Sequence, residues 1–156
     1  MFIRFSAVFK IGRWENIINT VLPDSLVELA KKLPEMCLNF KADTTRHTYK
    51  NSFNRWSKWC VSHKISSIPA SELHVSLYLM HLSDLNKSSS SINEALYSIS
   101  WAHRIAGVSN PCISDFVMTV KEGILRTIGQ RTHKKEPITP EVLRNIVSLY
   151  VTKTLI

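Results

Sequence analysis

Polar and cationic side chains recur at helical spacing between residues 44 and 58. On a wheel of 100° per residue, one side of this stretch carries Thr44, His47, Thr48, Asn51, Asn54, Arg55 and Lys58. Lys50 lies in the same basic stretch, and no acidic residue occurs between Asp43 and Glu72. Lysine and arginine neutralise phosphates, while threonine, asparagine and histidine hydrogen-bond to phosphates or to base edges. The pattern therefore indicates a nucleic-acid contact, with a merely solvated basic surface as the alternative.

Two further groups of side chains have the same chemistry. The outward side of a helix predicted to end near Ala106 carries Ser90, Asn93, Glu94, Tyr97, Trp101 and Arg104. Glu94 is able to accept from a cytosine amino group, or is an ordinary surface charge. Trp101 on this side either covers a neighbouring helix or meets a partner protomer. Arg131, His133, Lys134 and Lys135 form what is expected to be an exposed basic linker.

Helices must position these groups, since the sequence has only four glycines and no strand pattern. Apolar periodicity and capping residues predict helices over about 24–41, 44–63, 71–85, 91–106 and 114–128, and a last helix that begins near Thr139. Pro34 is expected to interrupt or kink the first of them. The fold class is thus all-α, a bundle of four to five helices plus one trailing helix.

The apolar positions predict which faces are buried. Tyr49, Phe53, Trp56 and Cys60 form one stripe, opposite the polar side described above. The helix over 71–85 is apolar most of the way round and is expected to be the central, most buried element. In the helix over 114–128, the residues predicted to be buried are Phe116, Val117, Val120 and Ile124, and Gly123 is a weak point.

Composition limits the partners. A net charge of +8 and a pI near 9.6 favour a polyanion, and no apolar run is long enough to span a bilayer, so no membrane is expected. Three widely spaced cysteines suggest reduced thiols in an intracellular protein, nuclear if the cell has a nucleus. Cys60 and His63 lack a second pair of metal ligands. No motif predicts a metal, a cofactor or a small-molecule substrate.

The order of these elements resembles the core-binding (SAM-like) domain of the tyrosine recombinases, the Cre-like phage-integrase family. Residues 44–60, which end in Arg-Trp-Ser-Lys-Trp-Cys, resemble that domain's second helix, and residues 91–107 are similar to its fourth. Ile68-Pro69-Ala70 and the apolar segment that follows them resemble that domain's third helix. Residues 134–141 are similar to the linker that enters the family's catalytic domain. The resemblance implies that the second and fourth helices face the major groove. It adds Thr45 to the contacts, with Thr44, Thr48, Asn51, Ser90, Asn93 and Glu94.

The composition of the opening segment, together with the resemblance over residues 22–150, predicts a division of the chain. Residues 1–21 are expected to be a poorly ordered leader, 22–129 the DNA-binding core-binding domain, 130–138 a basic linker, and 139–156 the first-helix fragment of a truncated catalytic domain. Arg144 and Tyr150 lie on the wrong element to be the family's catalytic arginine or nucleophile, so no catalytic residue is assigned. The expected partner is double-stranded DNA in recombination or integration, without strand cleavage.

Several alternatives stay open. Self-association or pairing with full-length recombinase protomers is compatible with the sequence. So are a helical protein-interaction module, a non-functional mobile-element remnant, and a fragment of a complete enzyme.

Overall fold

The structure, a computed structural model, describes residues 5–131, 139–141, 143, 144 and 147, and every element among them is helical. The α-helices are α1 (Arg13–Asn19), α2 (Asp24–Asn39), α3 (Asp43–Ser62), α4 (Glu72–Asp84), α5 (Ser89–Ala106) and α6 (Asp115–Arg131). Short 3-10 helices cover Phe5–Lys10 and Pro111–Ile113. The all-α prediction is confirmed.

The centre of the fold is the packing of α3 against α5. The apolar stripe of α3 is buried as predicted, with Phe53, Trp56 and Cys60 fully inaccessible and Tyr49 partly so. Helix α5 begins at the cap Ser88, whose hydroxyl accepts from Ser91 N–H at 3.2 Å, and has ten buried residues. The expectation that the helix over 71–85 is the most buried element is wrong. Helix α4 exposes Leu73, Leu77 and Met80, whereas α5 has neighbours on several sides.

From Phe5 onwards the N-terminal segment packs on the core, although residues 1–21 were expected to be a poorly ordered leader. Phe5, Val8 and Trp14 are buried, and the Trp14 indole N–H donates to the Ile105 carbonyl at 2.9 Å. Gly12 has a φ of 62°, and a Cβ there would stand 2.5 Å from the Ala106 carbonyl oxygen. Its aromatic side chains cover a face of α5 that would otherwise be exposed, and their burial stabilises this packing.

The phenyl ring of Phe5 explains the position of Trp101. The two rings stack with centroids 4.6 Å apart, and Tyr49 approaches Trp101 from the other helix at 5.6 Å. Trp101 is 4% exposed and therefore belongs to the core. This burial agrees with the interpretation that Trp101 covers a neighbouring element and does not meet a partner protomer, although the element it packs against is the segment ahead of residue 22.

Helices α4 and α6 pack together on another side of α5. The imidazole of His103, which is fully buried, accepts from Ala70 N–H at its Nε2 (2.9 Å) and lies 2.8 Å from the Ile99 carbonyl at its Nδ1. It thereby attaches the segment before α4 to α5. In α6, Val117 and Ile124 are buried as predicted, but Phe116 is 48% exposed, so its predicted burial is wrong. Phe116 lies one position round the helix from Val117 and faces no described neighbour that would cover it.

Helix α2 contributes little to the core. It runs as one helix through Pro34 and has no buried residue, and a cavity of about 370 Å³ lies between it and α1. Its large apolar side chains, which recur every three or four residues, stay exposed: Leu26, Leu29, Leu33 and Met36, followed by Phe40.

The remaining predictions concern the C-terminal part. Helix α6 continues through Arg131, so the first two residues of the predicted linker are helical, while residues 132–138 lie outside the described residues. Backbone at 140, 141, 143, 144 and 147 is helical, in agreement with a trailing helix that begins after Thr139. In the part of the chain that the structure describes, no helix has the length and apolarity to cross a membrane.

Candidate nucleic-acid interface

The outer face of α3 is a continuous exposed stripe of polar and basic side chains. Its members lie on one side of the helix and are all solvent-exposed: Thr44, His47, Thr48, Asn51, Arg55 and Lys58. From Thr44 to Lys58 the stripe extends about 21 Å along the helix axis, at 1.5 Å per residue. We call these six residues the α3 stripe.

The other candidates on α3 lie beside the stripe. Thr45 and Lys50 are half-buried on opposite flanks. Lys50 lines a cavity of about 520 Å³ between the N-terminal segment and α2, together with Phe5 and Lys31. Asn54, on the predicted polar side, is engaged within the fold, since its Oδ1 accepts from Phe5 N–H at 3.0 Å. The face of α3 that is free to contact a ligand is therefore narrower than the polar side predicted from the helical wheel.

The candidates on α5 are split between exposed and half-buried positions. Ser90 and Tyr97 are exposed, whereas Asn93 and Glu94 are half-buried. Glu94 meets the α3 stripe directly, because its Oε1 lies 2.6 Å from Arg55 Nη2. This ion pair joins residues 39 positions apart and places the polar faces of the two helices side by side.

Electrostatic coupling across the two helices points to the same arrangement. Burial raises the pKa of Tyr49, and the nearby Tyr97 and Glu94 raise it further. Thus Tyr49 from α3 lies close to two candidates from α5. The face formed by the α3 stripe with Ser90, Asn93, Glu94 and Tyr97 is called the α3–α5 face.

Internal partners hold some of the polar groups of this face in place. The His47 Nε2 and Asn51 Nδ2 atoms are 3.0 Å apart, one turn from each other on α3. Arg46, which was not predicted as a contact, pairs with Asp43 and donates to Asn39 Oδ1 at 2.7 Å. It therefore ties the end of α2 to the start of α3.

Arg104 lies on the same side of α5 as Ser90 and Tyr97, but nearer to the C-terminal end. Its guanidinium carbon is 4.7 Å from the ring centroid of Phe40. At 1.5 Å per residue, Arg104 lies about 15 Å along the axis from Glu94. Of the linker candidates, Arg131 is the last residue of α6, and Lys134 and Lys135 lie outside the described residues.

The chemistry of the α3–α5 face is that of hydrogen bonding and charge neutralisation. Within the described ranges, no group of three His, Cys, Asp or Glu side chains is placed to hold a metal. Cys60 of the Cys60–His63 pair is buried, and burial raises the pKa of its thiol to about 12. The thiolate that binds metals is therefore disfavoured there.

Comparison with known proteins gives one class of relative. No protein-family model matches the chain. The chain is similar to an integrase/recombinase xerD homolog of Selenomonas ruminantium, with 30% identity over 113 residues. The match covers 70% of this chain and 33% of that protein, so the chain spans about a third of the relative's length. This similarity is to the same class of protein as the resemblance found in the residues of α3 and α5.

Proposed function

We propose that this chain belongs to the tyrosine recombinases and binds duplex DNA through the α3–α5 face, as their core-binding domain. The observation that carries the proposal is the exposed α3 stripe, joined to α5 by the Arg55–Glu94 pair and supported from behind by the buried Phe53 and Trp56. The similarity to an integrase/recombinase supports the same class of function.

The dimensions of the face suit a duplex. The major groove of B-DNA is about 12 Å wide and admits an α-helix with its side chains. An exposed stripe about 21 Å long supplies contacts over roughly six base pairs, given a rise of about 3.4 Å for each. Arg55 and Lys58 suit phosphates, while Thr44, Thr48 and Asn51 are short enough to approach base edges.

The proposal includes binding without strand cleavage by this chain. The chemistry of the family needs a tyrosine nucleophile with arginine, lysine and histidine partners, which the resemblance assigns to a separate catalytic domain. We therefore expect a purified chain to shift a duplex in a gel and to leave both strands intact.

A second candidate is a protein-interaction module. The exposed apolar side chains of α2 favour it, because contiguous exposed apolar surface marks association sites. This candidate would be favoured if the chain did not bind DNA, or if its DNA binding did not depend on salt.

The test is a fluorescence-anisotropy titration of a labelled duplex at several salt concentrations. The variant Arg55→Gln/Lys58→Gln removes two charges from the α3 stripe. The matched control Lys32→Gln/Arg126→Gln removes two charges from exposed positions on α2 and α6. The slope of log K against log salt is negative, and each lost phosphate contact reduces its magnitude by about 0.9. We therefore expect the magnitude to decrease by about 1.8 for the first variant and little for the control.

Two results would contradict the proposal. Equal losses in both variants would show that only the overall charge matters. No binding by the folded wild-type chain at low salt would exclude DNA as the partner.

A further inference from the structure

A second basic site lies at the C-terminal end of α5. A cavity of about 200 Å³ opens there, lined by Arg13 of α1, Phe40 at the end of α2, Trp101 and Arg104 of α5, with Cys37 and Ile105. Four of these residues, Arg13, Phe40, Trp101 and Arg104, define what we call the Arg13–Arg104 pocket. Three separate helices supply its walls.

The two guanidinium groups are held in place by the fold. Arg13 Nη2 donates to the Arg104 carbonyl at 3.3 Å, and the Arg104 guanidinium stacks over Phe40 at 4.7 Å. Gly107 ends α5 with a φ of 69°, and the guanidinium of Arg13 occupies the space that a Cβ at this position would need. Positioned arginines lose less conformational freedom on binding than free ones do.

The pocket is positively charged, and none of the residues that line it is acidic. Within the part of the chain that the structure describes, neither Arg13 nor Arg104 has a carboxylate at ion-pair distance. Lys41 adds a third cation, with its Nζ 5.4 Å from the Phe40 ring. Like charges repel, so an arrangement that brings them together without a carboxylate favours an anionic ligand.

One of the residues that line this cavity, Trp101, carries an unpartnered donor. Trp101 is 4% exposed, and its indole N–H has no acceptor among the described residues. Most buried indole N–H groups do have a partner. The pocket therefore combines two guanidinium groups with a wall residue whose buried indole N–H has no acceptor among the described residues.

We propose that the Arg13–Arg104 pocket binds a phosphate group. Planar guanidinium groups bind phosphate oxygens through paired hydrogen bonds, which fits a site built from two of them. The inference rests on the proposed function for the source of the phosphate, namely the DNA backbone beyond the α3–α5 face.

The position of Arg104 along α5 supports the DNA backbone as the source of the phosphate. Arg104 follows Tyr97 by seven residues and Ser90 by fourteen, so all three lie within about 40° on the helix wheel. Arg104 is about 11 Å from Tyr97 along the axis. A duplex that contacts Ser90 and Tyr97 and extends along α5 carries a phosphate on each strand every 3.4 Å or so, and thus presents one at the pocket.

The test uses the whole chain and the variant Arg13→Gln/Arg104→Gln, with Lys32→Gln/Arg126→Gln as the control of equal charge. Circular dichroism and urea unfolding first establish that the variant is folded. Anisotropy titrations with a 30-base-pair duplex then measure the salt slope. In parallel, the indole N–H resonance of Trp101, assigned with Trp101→Phe, is followed by NMR during titration with inorganic phosphate.

Each outcome is informative. A salt slope smaller in magnitude by about 1.8 in the pocket variant alone, hence roughly 10-fold less change in affinity over a fourfold change of salt, supports a backbone phosphate. Unchanged DNA binding, with a Trp101 resonance that shifts with inorganic phosphate in the wild type and not in the variant, supports a free phosphate as the ligand. No effect in either titration overturns the inference. If the wild type binds no duplex, the proposed function fails, and the phosphate titration still tests the pocket.

Discussion

The substitution Phe5→Ala tests whether the N-terminal segment is part of the folded domain or a leader. Phe5 is 3% exposed, stacks on Trp101 at 4.6 Å and meets Phe53 edge-on at 5.6 Å. Its backbone N–H also donates to Asn54, which remains possible in the alanine variant.

The expected loss of folding stability in Phe5→Ala follows from the burial of this side chain. Phenylalanine to alanine in a core costs about 3–5 kcal/mol. The residue lies near the start of the chain, and the segment can detach instead of leaving a cavity, so we expect the lower end, about 3 kcal/mol. With a urea dependence of about 2 kcal/mol per molar, the unfolding midpoint should fall by roughly 1.5 M.

The assay is urea unfolding followed by far-UV circular dichroism. The matched control is Phe116→Ala, because Phe116 is 48% exposed and the same atoms are removed. We expect the control to cost less than about 1 kcal/mol. If Phe5→Ala costs no more than Phe116→Ala, the segment is not docked on α5 and the argument from burial is refuted.

Three further predictions concern other parts of the molecule. Gly123→Ala should stabilise α6 by about 0.8–1 kcal/mol, since a Cβ there meets nothing within 4 Å; an unchanged or lower urea midpoint would contradict this. Burial lowers the pKa of His103 below its usual value near 6.5. The unfolded chain therefore takes up the proton first, and the stability due to neutral His103 is complete above about pH 6.5 and lost as the pH falls below it; NMR titration showing protonation at or above 6.5 would exclude this. Glu94→Gln removes a negative charge 2.6 Å from Arg55 and should raise the affinity for non-specific duplex, with little change in the salt slope because Arg55 already counts as a phosphate contact in the wild type. Glu28→Gln, which breaks the Lys31 pair on α2, is the control, and weaker binding by Glu94→Gln would contradict the assignment.

Local sequence features were enough to predict most helices and one face of the candidate site. Helix α3 was expected over about 44–63 and covers Asp43–Ser62, and α5 ends at Gly107 as expected. These predictions succeed because apolar periodicity and helix-capping residues depend on interactions between residues only three or four positions apart. The exposure of Thr44, Thr48 and Asn51 follows from the same periodicity, since the opposite stripe is apolar.

Burial on the remaining faces depended on which element covers them. Trp101 lies on the polar side of its wheel and is buried because Phe5, 96 residues earlier, stacks on it. Phe116 is apolar and stays exposed because no described element packs over it. A single helix wheel contains no information about such partners.

The arrangement of the candidate sites also depends on contacts between distant residues. Arg55 and Glu94 were each predicted as contacts, but their pairing depends on how α3 packs against α5. Arg13 and Arg104 are 91 residues apart and line one cavity only after α1 docks on the end of α5. Periodicity in the chain thus accounts for the helices and their polar faces, whereas long-range packing brings those faces together, because contacts between distant residues form only in the folded molecule.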